Sequence, residues 1–255
     1  MEQFTITRRL LQEFSRLDDA RRRRQSGIFV AEGTKCVLEL LATFHCRYLF
    51  ARTEWLEEHA ASLAAATVDT TAAVDGATLR QLTRLPSAPP VIAYFEQRPA
   101  APLIERGCLT VALDRIQDPG NLGTIIRCCD WFGVRRIIAD TETVDCYNPK
   151  AVQATMGALA HIEVAYGRLD EILADSPVPV FGTFLDGDDI YHAELPAEGV
   201  IVLGNEGRGI SEAVGRTVTK RLYIPPYPAD ASHVESLNVG MAAAIVLSQF
   251  RSRHG

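Results

Sequence analysis

The chain has 255 residues, 47% hydrophobic, 23% charged and 7% aromatic, a globular composition that excludes long disorder and collagen-like or disulfide-scaffold classes. At that length one large or two small domains are expected, each able to bury a core. The net charge of −6 is unevenly spread, since residues 1–52 carry ten Lys/Arg against six Asp/Glu and the remainder sums to −10, as in a polyanion-binding arm on an acidic body.

From the N-terminus, the spacing of apolar residues predicts a helix over Ile6–Arg24, a strand at Ile28–Val30 and a helix over Gly33–Thr43. A strand at Tyr48–Ala51, a helix over Glu54–Ala66 and a strand at Val91–Phe95 follow. Pro86 to Pro102 holds five of the thirteen prolines, too dense for a helix. Residues 97–106 are therefore the expected linker between a first domain, 1–96, and a second, 107–255. The second domain reads as strands at 109–113, 136–139, 161–165, 178–184, 199–203 and 221–224. Helices over Gly123–Phe132, Lys150–Gly157, Leu169–Ala174, Ser211–Val218 and Ser236–Arg251 alternate with them. Short, continuously apolar strands separated by helices imply an α/β layered domain with a mostly parallel sheet.

Nothing in the sequence suggests export or a membrane. There is no run of about 18 apolar residues, and the opening Met1-Glu2-Gln3-Phe4 leads to Arg8-Arg9 with no secretory pattern. The cysteines at 36, 46, 108, 128, 129 and 146 form no CxxC pair and are expected to be reduced, buried and small apolar residues. The six histidines are scattered, so no metal site is expected. These features together imply a cytoplasmic protein.

In parallel sheets ligands sit beyond the carboxyl ends of the strands, so the loops there carry the functional information. After the strand at 109–113 comes DRIQDPGNLGTIIR, after 199–203 GNEGRGIS, and after 221–224 PPYPADASHVESLNVG. The middle loop has three glycines in six residues but lacks the dinucleotide order G-x-G-x-x-G, and no phosphate-loop Gly-Lys-Ser/Thr occurs. Its glycines would let the backbone approach a ligand closely. Asp230, Ser232 and His233 lack the nucleophile elbow of a hydrolase. Asn121, Arg127, Glu206, Ser236 and Asn238 would give the strand ends one cation, one anion and several hydrogen-bonding groups. Each also has a structural reading, Asn121 and Ser236 as helix caps and Glu206 as a surface acid.

Asp118-Pro-Gly-Asn-Leu-Gly-Thr-Ile-Ile-Arg127, Leu203-Gly-Asn-Glu-Gly-Arg-Gly-Ile-Ser211 and Ile224-Pro…Ser236-Leu-Asn-Val239, in that order, resemble the three motifs of the SpoU/TrmH family of RNA ribose 2′-O-methyltransferases. The resemblance covers about residues 107–251. Upstream, Arg21-Arg22-Arg23-Arg24, Gly27-Ile-Phe-Val-Ala-Glu-Gly33 and Lys35 are similar to the small L30e-like RNA-recognition domain that many members carry. The resemblance implies a trefoil-knotted α/β methyltransferase domain behind a smaller α/β domain, S-adenosyl-L-methionine as cofactor, and a homodimer. It implies cofactor contacts at Thr183, Gly204, Ile224 and Leu237, and a catalytic centre of Asn121, Arg127, Glu206, Ser236 and Asn238. Arg21, Arg22, Arg23, Arg24 and Lys35 are the implied RNA contacts. The implied substrate is structured RNA, ribosomal in preference to transfer RNA.

One departure is visible. The stretch from Ile224 to Ser236 is longer and richer in proline than the family's usual short Gly-containing turn, which leaves contacts between Pro225 and Glu235 open. It is the only support for the alternative, an RNA-binding or ribosome-assembly protein that keeps the fold without catalysis.

Overall fold

A computed structural model describes residues 7–228 and 236–254. In chain order the helices are α1 (Arg8–Ser15), α2 (Ala20–Ser26), α3 (Thr34–Leu41), α4 (Thr53–Glu58), α5 (Ala60–Ala65), α6 (Gly76–Leu82), α7 (Pro119–Trp131), α8 (Pro149–Thr155), α9 (Leu169–Ala174), α10 (Glu212–Gly215) and α11 (Val239–Ser252). The strands are β1 (Ile28–Glu32), β2 (Cys46–Ala51), β3 (Val68–Ala73), β4 (Val91–Glu96), β5 (Leu109–Asp114), β6 (Arg136–Asp140), β7 (Glu163–Gly167), β8 (Val180–Asp189), β9 (Gly199–Gly204) and β10 (Lys220–Tyr223).

The chain forms two compact units. The first runs to Arg98 and takes in Asp145–Ala160; the second comprises Pro99–Val144 and the chain from His161 onward. Residues 145–160, inside the stretch expected as the second domain, pack within the first compact unit. The Tyr147 hydroxyl accepts a hydrogen bond from the Arg98 amide at 3.0 Å, and Thr43 Oγ1 donates to the Ala160 carbonyl at 3.2 Å. Gly157 has φ +97°, and a Cβ there would lie 2.6 Å from the Cβ of Glu39. A side chain at 157 would therefore force this segment away from α3.

In the first unit the sheet order is β1-β4-β2-β3, with β2 and β3 parallel and the other pairs antiparallel. Its core includes Phe14, Leu17, Phe50, Leu79 and Tyr94, with Phe14 stacked on Tyr94 at 3.8 Å between ring centroids. The helix predicted over Ile6–Arg24 is interrupted after Ser15. Asp19 leaves the helical region and caps α2, accepting from the Arg22 amide at 3.0 Å, the usual act of an aspartate at a helix start. The helix predicted over Glu54–Ala66 is likewise divided, at His59.

The second unit holds a six-stranded sheet, order β10-β8-β9-β5-β6-β7, whose paired strands are all parallel. Its central strands β5 and β9 are buried almost throughout, which is why they read as unbroken apolar runs. From β5 the chain steps outward to β6 and β7, then crosses to β8, and β9 fills the place between β8 and β5. The β5/β9 boundary is therefore the topological switch point, where the loops diverge and leave a crevice beyond the strand ends.

Several predicted elements change length here. Helix Ser211–Val218 contracts to the single turn α10, and strand 178–184 extends to Asp189. Within β8 the pairing with β10 skips from Gly182 to Asp188, so residues 183–187 leave the ladder. Arg221 fixes this excursion, lying 3.5 Å over the Phe184 ring and pairing with Asp186. Residues 229–235 of the long loop, with Asp230, Ser232 and His233, lie outside the described residues.

Candidate active site

At the end of β5, Asp114 is 1% exposed. One carboxylate oxygen accepts from Arg115 Nε at 3.1 Å and the other from the Ser211 amide. Asp114 thereby ties the end of β5 to the glycine-rich loop that follows β9. Arg115 takes φ +59°, uncommon for a residue with a side chain, and its carbonyl accepts a hydrogen bond from Asn205 Nδ2 at 2.8 Å.

Asn205 also organises the glycine loop from within. Its Oδ1 accepts from the amides of Gly207 and Arg208, both at 3.1 Å, and its main chain pairs with Gly209 in both directions. A Cβ on Gly204 would lie 2.3 Å from the carbonyl carbon of Gly209. That glycine is required by closure of the loop on itself, a role the ligand-approach reading of the sequence did not include.

Helix α7 starts where Asp118 accepts from the Asn121 amide at 2.8 Å, with Pro119 in the first turn. The cap is Asp118, which leaves the Asn121 side chain free for longer contacts. Its Nδ2 donates to Glu206 Oε1 at 2.9 Å, and its Oδ1 accepts from Asn238 Nδ2 at 2.9 Å. Asn238 caps α11 by accepting from the Gly240 and Met241 amides. Ser236, expected at that cap, lies two residues before it and is exposed. Helices α7 and α11 meet closely, a Cβ on Gly240 lying 3.0 Å from Thr124 Cγ2.

The structure thus brings together Asn121, Glu206 and Asn238, one from each motif loop, across the β5/β9 switch point. Arg127 follows on α7 with its side chain exposed, and its guanidinium forms no hydrogen bond or ion pair among the described residues. Beside it burial pushes the Cys128 thiol up, with Arg127 opposing the shift.

Of the expected cofactor contacts, Thr183 opens the β8 excursion, its Oγ1 3.5 Å from the Val202 carbonyl. Gly204 ends β9, Ile224 follows β10, and Leu237 is 48% exposed beside Asn238. Neither Ile224 nor Leu237 joins a main-chain hydrogen bond among the described residues. These strand ends offer polar backbone and an apolar side chain together, a donor set that fits a ligand with a heterocycle and a charged amino-acid part.

In the first unit the arginine run divides. Arg23 is 1% exposed. It pairs with Asp145 at 2.7 Å and donates to the carbonyls of Leu17 and Asp18 at 2.6 and 2.9 Å. Its place among the RNA contacts is corrected accordingly: its donors are committed to the core of the unit. Arg21, Arg22, Arg24 and Lys35 are exposed.

Among the described residues no group of His, Cys, Asp and Glu is placed to hold a metal ion, and no helix is long and apolar enough to cross a membrane. Cys108 is exposed and Cys128 half-buried, a departure from the expectation that all six cysteines are buried. Sequence reasoning also missed Asp114, Asn205 and Asp145. A carboxylate ending an apolar strand was the available signal for Asp114.

A family model described as the SpoU rRNA Methylase family matches residues 108–248, and an MRM3-like substrate binding domain matches 9–93. The 23S rRNA guanosine 2′-O-methyltransferase RlmP of Bacillus subtilis is 36% identical over 144 residues, 54% of this chain and 56% of that protein. The matched stretch spans 56%, 65% and 58% of the length of three curated relatives. A TrmH-family protein from Porphyromonas gingivalis, 35% identical, superposes with a TM-score of 0.83 over 98% of this chain and 100% of that one. An AdoMet-bound rRNA methyltransferase from Sinorhizobium meliloti, 28% identical, gives 0.85 over 98% and 97%.

Proposed function

The chain belongs to the SpoU rRNA methylase family, and from that premise we infer that it transfers a methyl group from S-adenosyl-L-methionine to a ribose 2′-hydroxyl of structured RNA, ribosomal RNA in preference to transfer RNA. The observation that carries this reading is the hydrogen-bonded line Asn238–Asn121–Glu206, which joins the three motif loops at the switch point of the sheet.

S-adenosylmethionine supplies an electrophilic methyl group on a sulfonium. Thr183, Gly204, Ile224 and Leu237 would hold it, through main-chain groups and the exposed Leu237 side chain. The ribose hydroxyl is a weak nucleophile, so charge develops on its oxygen as the proton departs. A guanidinium offers a positively charged fork of donors and no acceptor. The role of Arg127 is therefore to orient the hydroxyl and the neighbouring phosphate and to stabilise the developing alkoxide. Glu206, Asn121 and Asn238 position the reacting groups, and Ser236, exposed beside Asn238, completes the polar rim.

Recognition of RNA falls to the first unit, through Arg21, Arg22, Arg24 and Lys35. The C-terminal segment is read as threaded in a trefoil knot. A homodimer is supported by the stripe Thr124, Arg127, Cys128 and Trp131 on α7, in which Trp131 is 85% exposed, and by Met241 on α11, 64% exposed. A cytoplasmic site of action follows from such a substrate.

The test is transfer of labelled methyl from S-adenosylmethionine to ribosomal RNA of cells lacking the protein, with 2′-O-methyl positions mapped. No incorporation into ribosomal or transfer RNA, at concentrations where the cofactor binds, overturns the reading.

A further inference from the structure

A cleft of about 370 Å³ opens in the first unit between α1 and α2, lined by Gln12, Glu13, Arg16, Leu17, Arg22 and Gln25 together with Ser26. That volume falls within the range of small-ligand sites. At the floor the Leu17 carbonyl is held by Arg23, which also holds that of Asp18 and pairs with Asp145. The walls contrast with the floor. The side chains of Gln12, Arg16, Arg22 and Gln25 are exposed and take no part in a hydrogen bond or ion pair among the described residues. Two carboxamides, each able to donate and accept, therefore face the same cleft as two guanidinium groups.

We propose that this cleft receives an unpaired nucleotide of the RNA, Gln12 and Gln25 reading the base edge while Arg16 and Arg22 take its phosphate or stack on its face. The inference rests on the RNA-directed function given above. Unpaired RNA is recognised by bases that leave the stack, lie against guanidinium planes and present their edges to amide side chains. Paired RNA keeps its Watson–Crick edges inside the duplex, out of reach of such a cleft. Glu13, an acceptor only, suits an exocyclic amino group of the base and disfavours a second phosphate.

The full chain is titrated with a single-stranded RNA of roughly a dozen nucleotides and with a duplex of the same length. The single strand is expected to bind about tenfold more tightly. Gln12→Ala combined with Gln25→Ala should abolish that preference and leave duplex affinity unchanged. Arg16→Ala with Arg22→Ala should weaken both and reduce the salt slope by about two. Equal affinity of the wild-type chain for the two RNAs, or a preference that survives loss of both glutamines, overturns the proposal. Methyl transfer by the same preparations keeps the two readings apart. A chain that keeps the single-strand preference without transferring methyl overturns the function and leaves the cleft standing; a chain that methylates RNA without the preference does the reverse.

Discussion

Asn238 donates from Nδ2 to Oδ1 of Asn121 at 2.9 Å, joining the first residues of α11 to the first turn of α7 across 117 positions of sequence. Because Asn121 passes the contact on to Glu206, its carboxamide is used as donor and acceptor at once. Asn121→Ala breaks both bonds. Each is worth about 1 kcal/mol, and a double-mutant cycle between positions 121 and 238 should show coupling of about that size. Chemical denaturation of the four proteins measures it, and simple additivity would remove the network from the account of the site.

Arg127 is exposed and unpaired among the described residues. Replacing it by Ala should leave stability within about 0.5 kcal/mol and cofactor affinity nearly unchanged. Methyl transfer should be lost. Wild-type transfer by the Arg127→Ala protein, measured at saturating cofactor and RNA, would contradict the role assigned to the guanidinium.

Neighbouring arginines should behave in opposite ways. Arg23→Ala leaves Asp145 without its partner and two carbonyls without a donor, a loss of about 3 kcal/mol or more. Replacing Arg21, Arg22 and Arg24 together should leave the melting temperature close to wild type and flatten the salt dependence of RNA binding. An unchanged salt slope in that triple variant would make the exposed run a solvated helix face.

The first unit also carries a pH dependence that can be assigned. His45 bonds Asp69 at 2.7 Å and Glu96 at 3.2 Å, and Arg47 pairs with the same two carboxylates. The Asp69 hydrogen bond holds the imidazole above its ordinary value of 6.5. Arg47 holds the Glu96 carboxyl below its ordinary 4.5. The His45 contribution is complete below 6.5 and is lost as pH rises through the raised value. That of Glu96 is complete above 4.5 and is lost as pH falls through the lowered value. Melts near pH 5.5 and near pH 8 should therefore favour the lower pH in the wild type, with the difference reduced in His45→Gln. The same pH difference in both proteins would exclude this cluster as its source.

The second unit is largely legible in the sequence because its central strands are buried on both faces, which leaves unbroken apolar runs such as LTVAL and GVIVL. Edge strand β3 is not legible. Its residues VDTTAA alternate in exposure, and only Ala72 is fully buried, so no apolar run marks it. Sequence reasoning starts α7 late, at Gly123, because the preceding stretch PGNL has poor helix propensity. In the structure the Asp118 cap and Pro119 set the helix four residues earlier.

Burial and turn chemistry are local and leave periodic traces, so the parallel α/β architecture, the three loops at the strand ends and the residues those loops present can all be read along the chain. Packing in three dimensions is what makes Asn121 bridge Asn238 and Glu206, draws residues 145–160 into the first compact unit, and buries Arg23 alone of four adjacent arginines. The last case shows the reason. Helical geometry turns one arginine of the run inward, but what makes burial of its charge tolerable is Asp145, 122 residues further on. A pairing at that distance depends on how the elements pack, and no local pattern in the chain records it.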